Sequence, residues 1–315
     1  MGVSSLMVAR NLPRYADAFR YTGSGAAQTI KSRYFAPDMV MLKSRQSATP
    51  CNVYDVVRGN LNRVRTHENN GPSVVAGGLS FASDGFTLGN DTDINAFTGV
   101  ANDNIAWAFK RQAGFFDIQT YIGDGATSKL VNHNLGVAPK LMIVKNLSAA
   151  QDFLVYHASA PGTPQNNASS LNTNLAFSAS AAWNNTAPTS TQFTVGNNTL
   201  LNVSGNQYVV YLFGELSGYS RFGSYTGNGN VVGPVVSGFG FTPKILLIKE
   251  ATATGSWMMY DRARQGAEYW QLALNSNIAE FSGANTEIQS GGFQPKTTSS
   301  DVNTTSQTYL YCAWA

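Results

Sequence analysis

Residues 240–249 read GFTPKILLIK, and this stretch governs how the rest of the chain is interpreted. Two earlier stretches follow the same pattern, GVAPKLMIVK at 136–145 and FAPDMVMLK at 35–43. In each, a proline precedes a short run of apolar residues and a lysine ends the run. The three prolines are 102 and then 104 positions apart, and so are the three lysines. A spacing kept this closely indicates an internal repeat.

Further landmarks recur around these stretches in the same order. An aromatic–Gly–polar–Gly turn precedes each one, a tyrosine follows each lysine after eleven residues, and a phenylalanine-led strand and an aromatic strand close the series. In chain order, the turns are YTGSG, YIGDG and YTGNG, the tyrosines are Tyr54, Tyr156 and Tyr260, and the phenylalanines are Phe86, Phe193 and Phe293. Because chance does not produce such an order three times, we interpret the chain as a triplication.

The triplication sets the predicted domain organisation. An N-terminal arm occupies residues 1–17, and three units follow at 18–115, 116–219 and 220–315. Within each unit, short β-branched and aromatic runs are separated by Gly, Asn, Pro and Ser, and no ten-residue stretch has an apolar face at helical spacing. The predicted fold is all-β, with three tandem packed β-sandwiches of about 100 residues each.

Two strands of every unit are apolar at each position, for example ILLI at 245–248 and VVYLF at 209–213. A strand with one face in water alternates apolar and polar residues instead. Both faces of these strands are therefore predicted to be covered, by a neighbouring unit, by long loops or by another subunit. The short connections between units, KRQAGFFD and GELSGYSR, favour three packed bodies over three loosely linked ones.

The composition excludes several classes of protein. Charged residues make up 12% of the chain, and 21 Lys and Arg stand against 18 Asp and Glu. This charge is too weak to follow a nucleic-acid backbone, so no nucleic-acid partner is expected. The chain has no apolar run of the length that spans a bilayer, so no membrane insertion is expected.

The three copies allow unusual residues to be compared with their equivalents. Cys51 and Cys312 stand where the other copies have large aromatic residues, so both are interpreted as small apolar fillers of a core. Asp55 and Arg58, three residues apart, recur in the third copy as Asp261 and Arg264. In the second copy both are absent, and His157 and Ala160 stand in their places. Joint loss indicates a salt bridge or turn clamp, with an acid–base or ligand site as the alternative.

Other polar residues carry weaker signals. The lysine that ends each apolar run is interpreted as a strand end that reaches water. These lysines are Lys43, Lys145 and Lys249. The stretch GNDTDIN places Asp91, Asp93 and Asn95 at alternate positions, as at the start of a calcium loop. Because the glycine and glutamate of the full motif are missing, a polar turn is favoured over a weak cation site.

No reaction follows from the remaining residues. His67, His133 and His157 are not equivalent between units, and their spacing gives no catalytic grouping with Ser, Cys or Asp. The carboxylates give little support to the paired arrangement that glycoside hydrolysis needs. The sequence therefore predicts no enzymatic activity, no catalytic residues, no metal and no cofactor.

The segment 157–192 of the second unit is the one region predicted to be a candidate binding loop. From Tyr156 to Phe193 the second unit spans 37 residues, against 32 and 33 in the other two. The segment is uncharged after His157 and contains Trp183. Long polar loops on a rigid sandwich often carry recognition, whereas a solvated loop or packing between subunits is the alternative.

Taken in order, the motifs YTGNG, GFTPKILLIK, W-x-x-YD-x-x-R, a GF strand and YLYCAWA resemble a β-repeat of tailed-bacteriophage virion proteins, especially tail-fibre and other appendage proteins. The resemblance runs over nearly the whole chain. It implies a non-enzymatic structural or adhesive role in the virion, after synthesis in the host cytoplasm. It supplies no catalytic residues.

Three functions are compatible with this resemblance. The first is a tail-fibre or tail-appendage subunit, forming a homotrimer that contacts tail or baseplate proteins and contributes to attachment to a host surface glycan or protein. The second is a head decoration or capsid-spike protein that stabilises the capsid. The third, a glycan-degrading appendage enzyme, has the least support.

Overall fold

The structure, a computed structural model, describes residues 13–32, 34–97, 103–265 and 270–315. Regular structure within these residues is almost entirely β, with one short α-helix (α1, Thr92–Asn95) and one 3-10 turn (Pro164–Asn166). The prediction of an all-β chain is confirmed. Of the predicted N-terminal arm at 1–17, residues 1–12 lie outside the described residues, and the first strand begins at Ala16.

The described part of the chain forms 24 strands, separated by turns rich in Gly, Asn, Ser and Pro. Strands β1 to β9 are Ala16–Thr22, Gln28–Lys31, Met39–Ser44, Asn52–Asp55, Asn62–Arg65, Ser73–Val74, Leu79–Ala82, Gly85–Leu88 and Asp103–Phe109. Strands β10 to β17 are Phe116–Ile122, Ser128–Asn132, Leu141–Asn146, Leu154–His157, Asn167–Ser170, Ser178–Ala179, Gln192–Gly196 and Gln207–Phe213. Strands β18 to β24 are Ser220–Thr226, Ile245–Glu250, Trp257–Asp261, Leu272–Ala273, Thr286–Gln289, Gly292–Pro295 and Thr308–Trp314.

Three large antiparallel sheets hold most of these strands. Sheet 1 has the order β1-β9-β3-β4-β5-β6, sheet 2 the order β10-β17-β12-β13-β14-β15, and sheet 3 the order β18-β24-β19-β20-β21. The first five strands of the three sheets therefore follow one arrangement, and the register of paired strands defines equivalent positions. The domain boundaries read from the sequence stay a prediction.

Each large sheet is buried on both faces. In β19, Ile245 and Leu247 face a central core to which all three sheets contribute, whereas Leu246 and Ile248 face a separate core on the other side of sheet 3. Strands β3 and β12 divide their side chains in the same way. The division follows the two-residue period of a pleated strand. The prediction that both faces are covered is confirmed, and the neighbouring sheets cover the inner one.

Three aromatic rings meet where the large sheets converge. Phe109, Phe213 and Trp314 hold equivalent positions near the ends of β9, β17 and β24. Their ring centroids are separated by 5.4, 5.4 and 5.3 Å, and the rings are edge-to-face or tilted, which is a favourable arrangement for aromatic pairs. These near-equal separations mean that the three sheets close around a common centre.

Side-chain sizes compensate one another in the central core. The cross-strand pairs at one set of equivalent positions are Ala18 with Trp107, Ile118 with Tyr211, and Phe222 with Cys312. Trp107, the largest of the three residues on β9, β17 and β24, faces the small Ala18. Cys312, the smallest of those three, faces the large Phe222. A close-packed core needs such a balance because neither voids nor overlaps are tolerated. The prediction that Cys312 is an apolar filler is confirmed, and Cys51 is buried in the same core.

Smaller sheets cover the outer faces of the large ones. They comprise β2-β8-β7 beside sheet 1, β11-β16 beside sheet 2 and β22-β23 beside sheet 3. Aromatic residues led by Phe86, Phe193 and Phe293 fill the space between the layers. Each large sheet and its small sheet thus form a sandwich-like pair of layers.

A buried asparagine fixes each aromatic–Gly–polar–Gly turn. In the second turn, Asp124 donates its backbone N–H to Asn202 Oδ1 at 3.0 Å, and Asn202 Nδ2 donates to the carbonyl of Ala126 at 2.9 Å. The hydroxyl of Tyr121 donates to the carbonyl of Leu201 at 2.8 Å. Asn95 and Asn303 hold the other two turns in the same way. The turn therefore closes against a specific partner in each case.

The two glycines of this turn meet two different backbone needs. The first, Gly123, packs so closely that an added Cβ would lie 2.2 Å from the carbonyl oxygen of Val203. The second, Gly125, has a backbone φ of +72°, which residues other than glycine adopt rarely. This geometry explains why glycines recur at both positions of the turn.

We expect replacement of the turn-fixing asparagine to destabilise the fold. The substitution Asn202→Ala removes hydrogen bonds to Asp124 and Ala126 in a buried place, and the free energy of unfolding should fall by about 3 kcal/mol. Denaturant unfolding measures the change. Asn197→Ala, at an exposed asparagine nearby, is the matched control and should be neutral. Equal stability of the two variants would show that the asparagine does not fix the turn.

Candidate functional site

The three lysines that end the apolar runs lie in the interior, so the prediction that they reach water is wrong. Lys43, Lys145 and Lys249 are each exposed by 1% or less. Loops of the same sheet and of the adjacent sheet close over each ammonium group, which a local sequence pattern does not reveal. Burial lowers the pKa of each lysine to about 8.

Each buried lysine joins two sheets through backbone carbonyls. Lys43 Nζ donates to Thr49, in the loop that joins β3 to β4, at 2.7 Å and to Ser276 beside sheet 3 at 3.2 Å. Lys249 Nζ donates to Gly255 at 2.7 Å and to Asn174 beside sheet 2 at 3.3 Å. The remaining lysine follows the same rule. Its Nζ donates to Gln151 and, at 2.7 Å, to Asn69 beside sheet 1.

The lysine contacts therefore run in one direction around the molecule. Sheet 1 reaches sheet 3, sheet 3 reaches sheet 2, and sheet 2 reaches sheet 1. A buried ammonium group is costly unless well-placed oxygens accept its protons. Here one carbonyl from each of two sheets accepts two of the three protons, so each lysine specifies which sheets lie next to each other.

A second set of contacts between sheets involves the predicted acid–base pairs. The salt bridges are present, with Nε–Oδ2 distances of 2.5 Å for Arg58 and Asp55 and 2.6 Å for Arg264 and Asp261. Each arginine also donates to a backbone carbonyl of its own sheet, which closes the turn. The prediction of a salt bridge that clamps a turn is confirmed.

The neighbouring sheet completes each of these pairs. The hydroxyl of Tyr211 in sheet 2 donates to Asp55 Oδ2 at 2.8 Å, and Trp107 Nε1 in sheet 1 donates to Asp261 Oδ2 at 2.9 Å. Both carboxylates are fully buried, so the additional donor stabilises a charge that water does not reach. At these two junctions the acid is matched to an aromatic donor on the adjacent sheet.

The third junction explains why sheet 2 lacks the pair. The aromatic donor is replaced there by Cys312, and the acid by His157. Burial lowers the pKa of His157 to about 4, so the ring is neutral near pH 7. Its Nδ1 accepts the N–H of Ser159 at 3.1 Å, and its Nε2 lies 3.3 Å from the carbonyl of Tyr311. A neutral imidazole suits this junction because Cys312 on the adjacent sheet is a weak hydrogen-bond donor and would not stabilise a buried carboxylate.

The predicted calcium-like stretch is a polar turn held by arginines. Asp91 caps α1, and its carboxylate lies 2.7 Å from Arg63 Nη1. Asp93 pairs with Arg65 at 2.6 Å. Asn95 is the asparagine that fixes the first glycine turn. The carboxylates are thus occupied by cations of the protein itself, and the described residues contain no cluster of three or more His, Cys, Asp or Glu suited to a metal ion.

Within the predicted binding loop at 157–192, Trp183 does not face a ligand, because its side chain lies in the core. Trp183 is fully buried, packs edge-to-face on Tyr156 at 5.8 Å and donates its Nε1 proton to the carbonyl of Asn167. Phe177 of the same segment packs against Trp257 of sheet 3. The extra length therefore fills the core beside sheet 2 and the contact with sheet 3.

A cleft of about 460 Å³ between sheets 1 and 3 is the candidate site that the sequence did not predict. We call it the basic cleft and define it by Arg14, Asp17, Arg20, Tyr34, Lys244 and Arg262. Four cations thus share a small space with one carboxylate and the ring of Tyr34. The guanidinium carbon of Arg14 lies 3.6 Å from the ring centre of Tyr34, and Lys244 Nζ lies 5.5 Å from it.

The positive charge is particular to this junction. The positions equivalent to Lys244 are Asp38 and Lys140, those equivalent to Arg262 are Val56 and Ala158, and those equivalent to Arg20 are Thr120 and Ser224. Packing of the sheets therefore does not require these cations. Because the full set of cations occurs at one junction, with Lys140 as the one equivalent cation among the six positions compared, a search for residues shared by the three sheets overlooks the cleft. The signal that reveals them is a cation whose equivalents are mostly neutral or acidic.

Comparisons with known proteins give one match. The model of a family described as a domain of unknown function (DUF7483) matches residues 13–315. No curated protein and no solved structure matches the chain. In the described part of the chain, no helix is long and apolar enough to cross a bilayer.

We expect loss of a buried lysine to weaken the contact between sheets. The substitution Lys145→Met keeps the apolar stem but leaves the carbonyls of Asn69 and Gln151 without their donor. The free energy of unfolding should fall by about 2–4 kcal/mol. Lys31→Met, at a lysine whose side chain is 75% exposed, is the control and should change it little. A Lys145→Met protein as stable as the wild type would refute a structural role for the lysine.

We expect His157 to make stability depend on pH. Its folded pKa, about 4, lies below the unfolded value of 6.5, so between these values the unfolded chain binds a proton that the folded chain does not. The stabilisation is therefore complete above pH 6.5 and is lost as the pH falls towards 4, by up to about 3 kcal/mol. Urea unfolding at several pH values should show a smaller acid loss for His157→Gln than for the wild type. Identical pH profiles would contradict this assignment.

Proposed function

We propose that this chain, which belongs to the DUF7483 family of domains of unknown function, is a non-enzymatic structural protein of a tailed-phage virion. Its most direct role is that of a tail-fibre or other tail-appendage subunit that contributes to host-surface attachment. The structural observation that supports the proposal is the closure of three large sheets around Phe109, Phe213 and Trp314, which gives the rigid body that an appendage needs. The motif resemblance to virion β-repeats supports the same class of protein.

The contacts between sheets support a mechanical role. The central core and the buried lysines join every pair of large sheets, and the acid–aromatic junctions join two of the three pairs. No large sheet is therefore attached along one side alone, and a pulling force on one sheet is shared by the other two. A body exposed outside the cell benefits from such cross-connection, since opening any junction disrupts buried polar contacts.

The buried titratable groups also support a structural role. Asp55, Asp261 and His157 each contact the sheet next to their own, and the two acids are held by arginine and by an aromatic donor. These groups stabilise the assembly of sheets, which is a different task from that of a general acid or base facing a substrate.

A head decoration or capsid-spike protein is the second candidate. The near-equal spacing of the three central rings favours it, because a body with three similar sides fits a threefold position of a capsid lattice. The homotrimer expected of a tail appendage stays a prediction, and native mass spectrometry of the purified chain tests it directly.

Copy number and position on the particle distinguish the two candidates. Quantitative mass spectrometry of purified virions should give a small multiple of three or six copies for a tail part, and immunogold electron microscopy should label the tail. Hundreds of copies with label on the head would favour the decoration protein. Absence of the chain from virions would overturn the proposal in both forms.

Attachment is tested with the purified full chain. We expect it to bind host cells and to slow adsorption of the phage in competition. Failure in both assays would contradict a role in attachment, while leaving a purely structural place in the virion to the labelling experiment. Release of reducing ends from host polysaccharide would contradict the non-enzymatic assignment.

A further inference from the structure

We propose that the basic cleft is a binding site for a sugar that carries a carboxylate. The binding itself is a property of the folded chain and is independent of the virion. The assignment of that sugar to the host surface rests on the proposed function. The cleft lies between β1 and the strand ends of sheet 3, so the closure of the sheets creates it.

The charges of the cleft are arranged for an anion. Arg20 lines one wall and is paired with Asp103, at 3.1 Å from Nε to Oδ1. Lys244 Nζ lies 4.0 Å from Asp17 Oδ1, too far for a short hydrogen bond. Arg14 and Arg262 add two guanidinium groups to the same space. A bound carboxylate would accept hydrogen bonds from groups that otherwise repel one another.

The state of Lys244 supports the same conclusion. Its side chain is 23% exposed, so the ammonium group is largely removed from water but still reaches the cleft. Burial lowers the pKa of Lys244 to about 8; Asp17 opposes this, and Arg14 and Arg262 add to it. An anion placed beside this lysine would offset both the burial and the repulsion. Binding should therefore raise its pKa.

The rest of the cleft favours a sugar over a bare anion. Tyr34 is 47% exposed, and Ala18 and Phe19 line the cleft beside it. Arg14 stacks on one face of the Tyr34 ring, and the exposed remainder of the ring offers apolar surface to the C–H groups of a pyranose, while the cations take the carboxylate and hydroxyl oxygens. The volume of about 460 Å³ lies within the range of small-ligand sites.

Other anionic partners fit the cleft less well. A nucleic acid needs a stripe of cations along its backbone, whereas here the equivalent junctions carry Val56, Ala158, Thr120 and Ser224 in place of arginines. The formal net charge of the chain is +3, which gives little long-range attraction for a polyanion. A single concentrated patch with an aromatic ring is suited to one acidic residue of a glycan.

Isothermal titration of the full chain with D-glucuronate tests the site, with glucose and inorganic phosphate as separate probes. We expect glucuronate to bind, glucose to bind at least about tenfold more weakly, and phosphate to bind without dependence on Tyr34. Reductive 13C-methylation with NMR detection should show the Lys244 signal titrating at higher pH when glucuronate is present.

Single substitutions separate the contribution of the lysine charge to binding from that of the tyrosine ring. Lys244→Met should weaken glucuronate binding about tenfold, and Tyr34→Ala should weaken glucuronate but leave phosphate unchanged. Lys140→Met, at the position of sheet 2 equivalent to Lys244, is the matched control and should leave binding unchanged. Thermal unfolding of each variant confirms that the sheets remain closed, and Lys244→Asp, which copies Asp38 of sheet 1, gives a second variant if Lys244→Met does not fold.

Three results would overturn the proposal. They are no binding of glucuronate, equal binding of glucose and glucuronate, and phosphate binding that matches glucuronate and falls equally in Tyr34→Ala. Tight binding of single-stranded DNA at this cleft, lost in Lys244→Met, would also replace the sugar by a nucleic acid. Each result is obtained on the isolated chain, so it stands apart from whether the chain is found on the tail, on the head or on neither.

Discussion

The inner face of each large sheet is covered by the other two, and this mutual cover is the constraint on which the rest of the structure depends. Residues such as Met39, Leu141 and Ile245 would face water if any sheet stood alone. The cost of that exposure explains why strands that are apolar on both faces recur three times along the chain. It also explains why the connections between the large sheets are short, since each sheet must reach the same centre.

Within this constraint, polar residues decide the order of the sheets. Apolar contacts alone do not distinguish one neighbour from another, whereas a buried ammonium group is tolerated only where carbonyls accept its protons. Lys43, Lys145 and Lys249 supply this selectivity in one direction around the centre. At the junction where Cys312 replaces an aromatic donor, the acid is replaced by neutral His157. The residue at this position of one sheet therefore matches the hydrogen-bonding capacity of the residue that faces it on the next sheet.

Much of the fold was predictable because its signals are local. Strand positions follow from apolar runs and turn residues, and the cover on both faces follows from strands such as ILLI without alternation. The buried lysines were misjudged because their cover comes from loops of another sheet, as Ser276 does for Lys43. The asparagines that fix the turns and the basic cleft were missed for the same reason, since Asn202 acts on Asp124, and Arg14 meets Lys244 only after the sheets close.

The central claim is that the three large sheets form one cooperative body through their shared core, and hydrogen exchange tests it most directly. Phe213 contacts rings of sheets 1 and 3, so Phe213→Ala removes packing common to all three sheets. Exchange measured by mass spectrometry should then show a similar loss of protection in β3, β12 and β19. Loss confined to sheet 2, with β3 and β19 as protected as in the wild type, would show that the sheets are independent and would contradict the account.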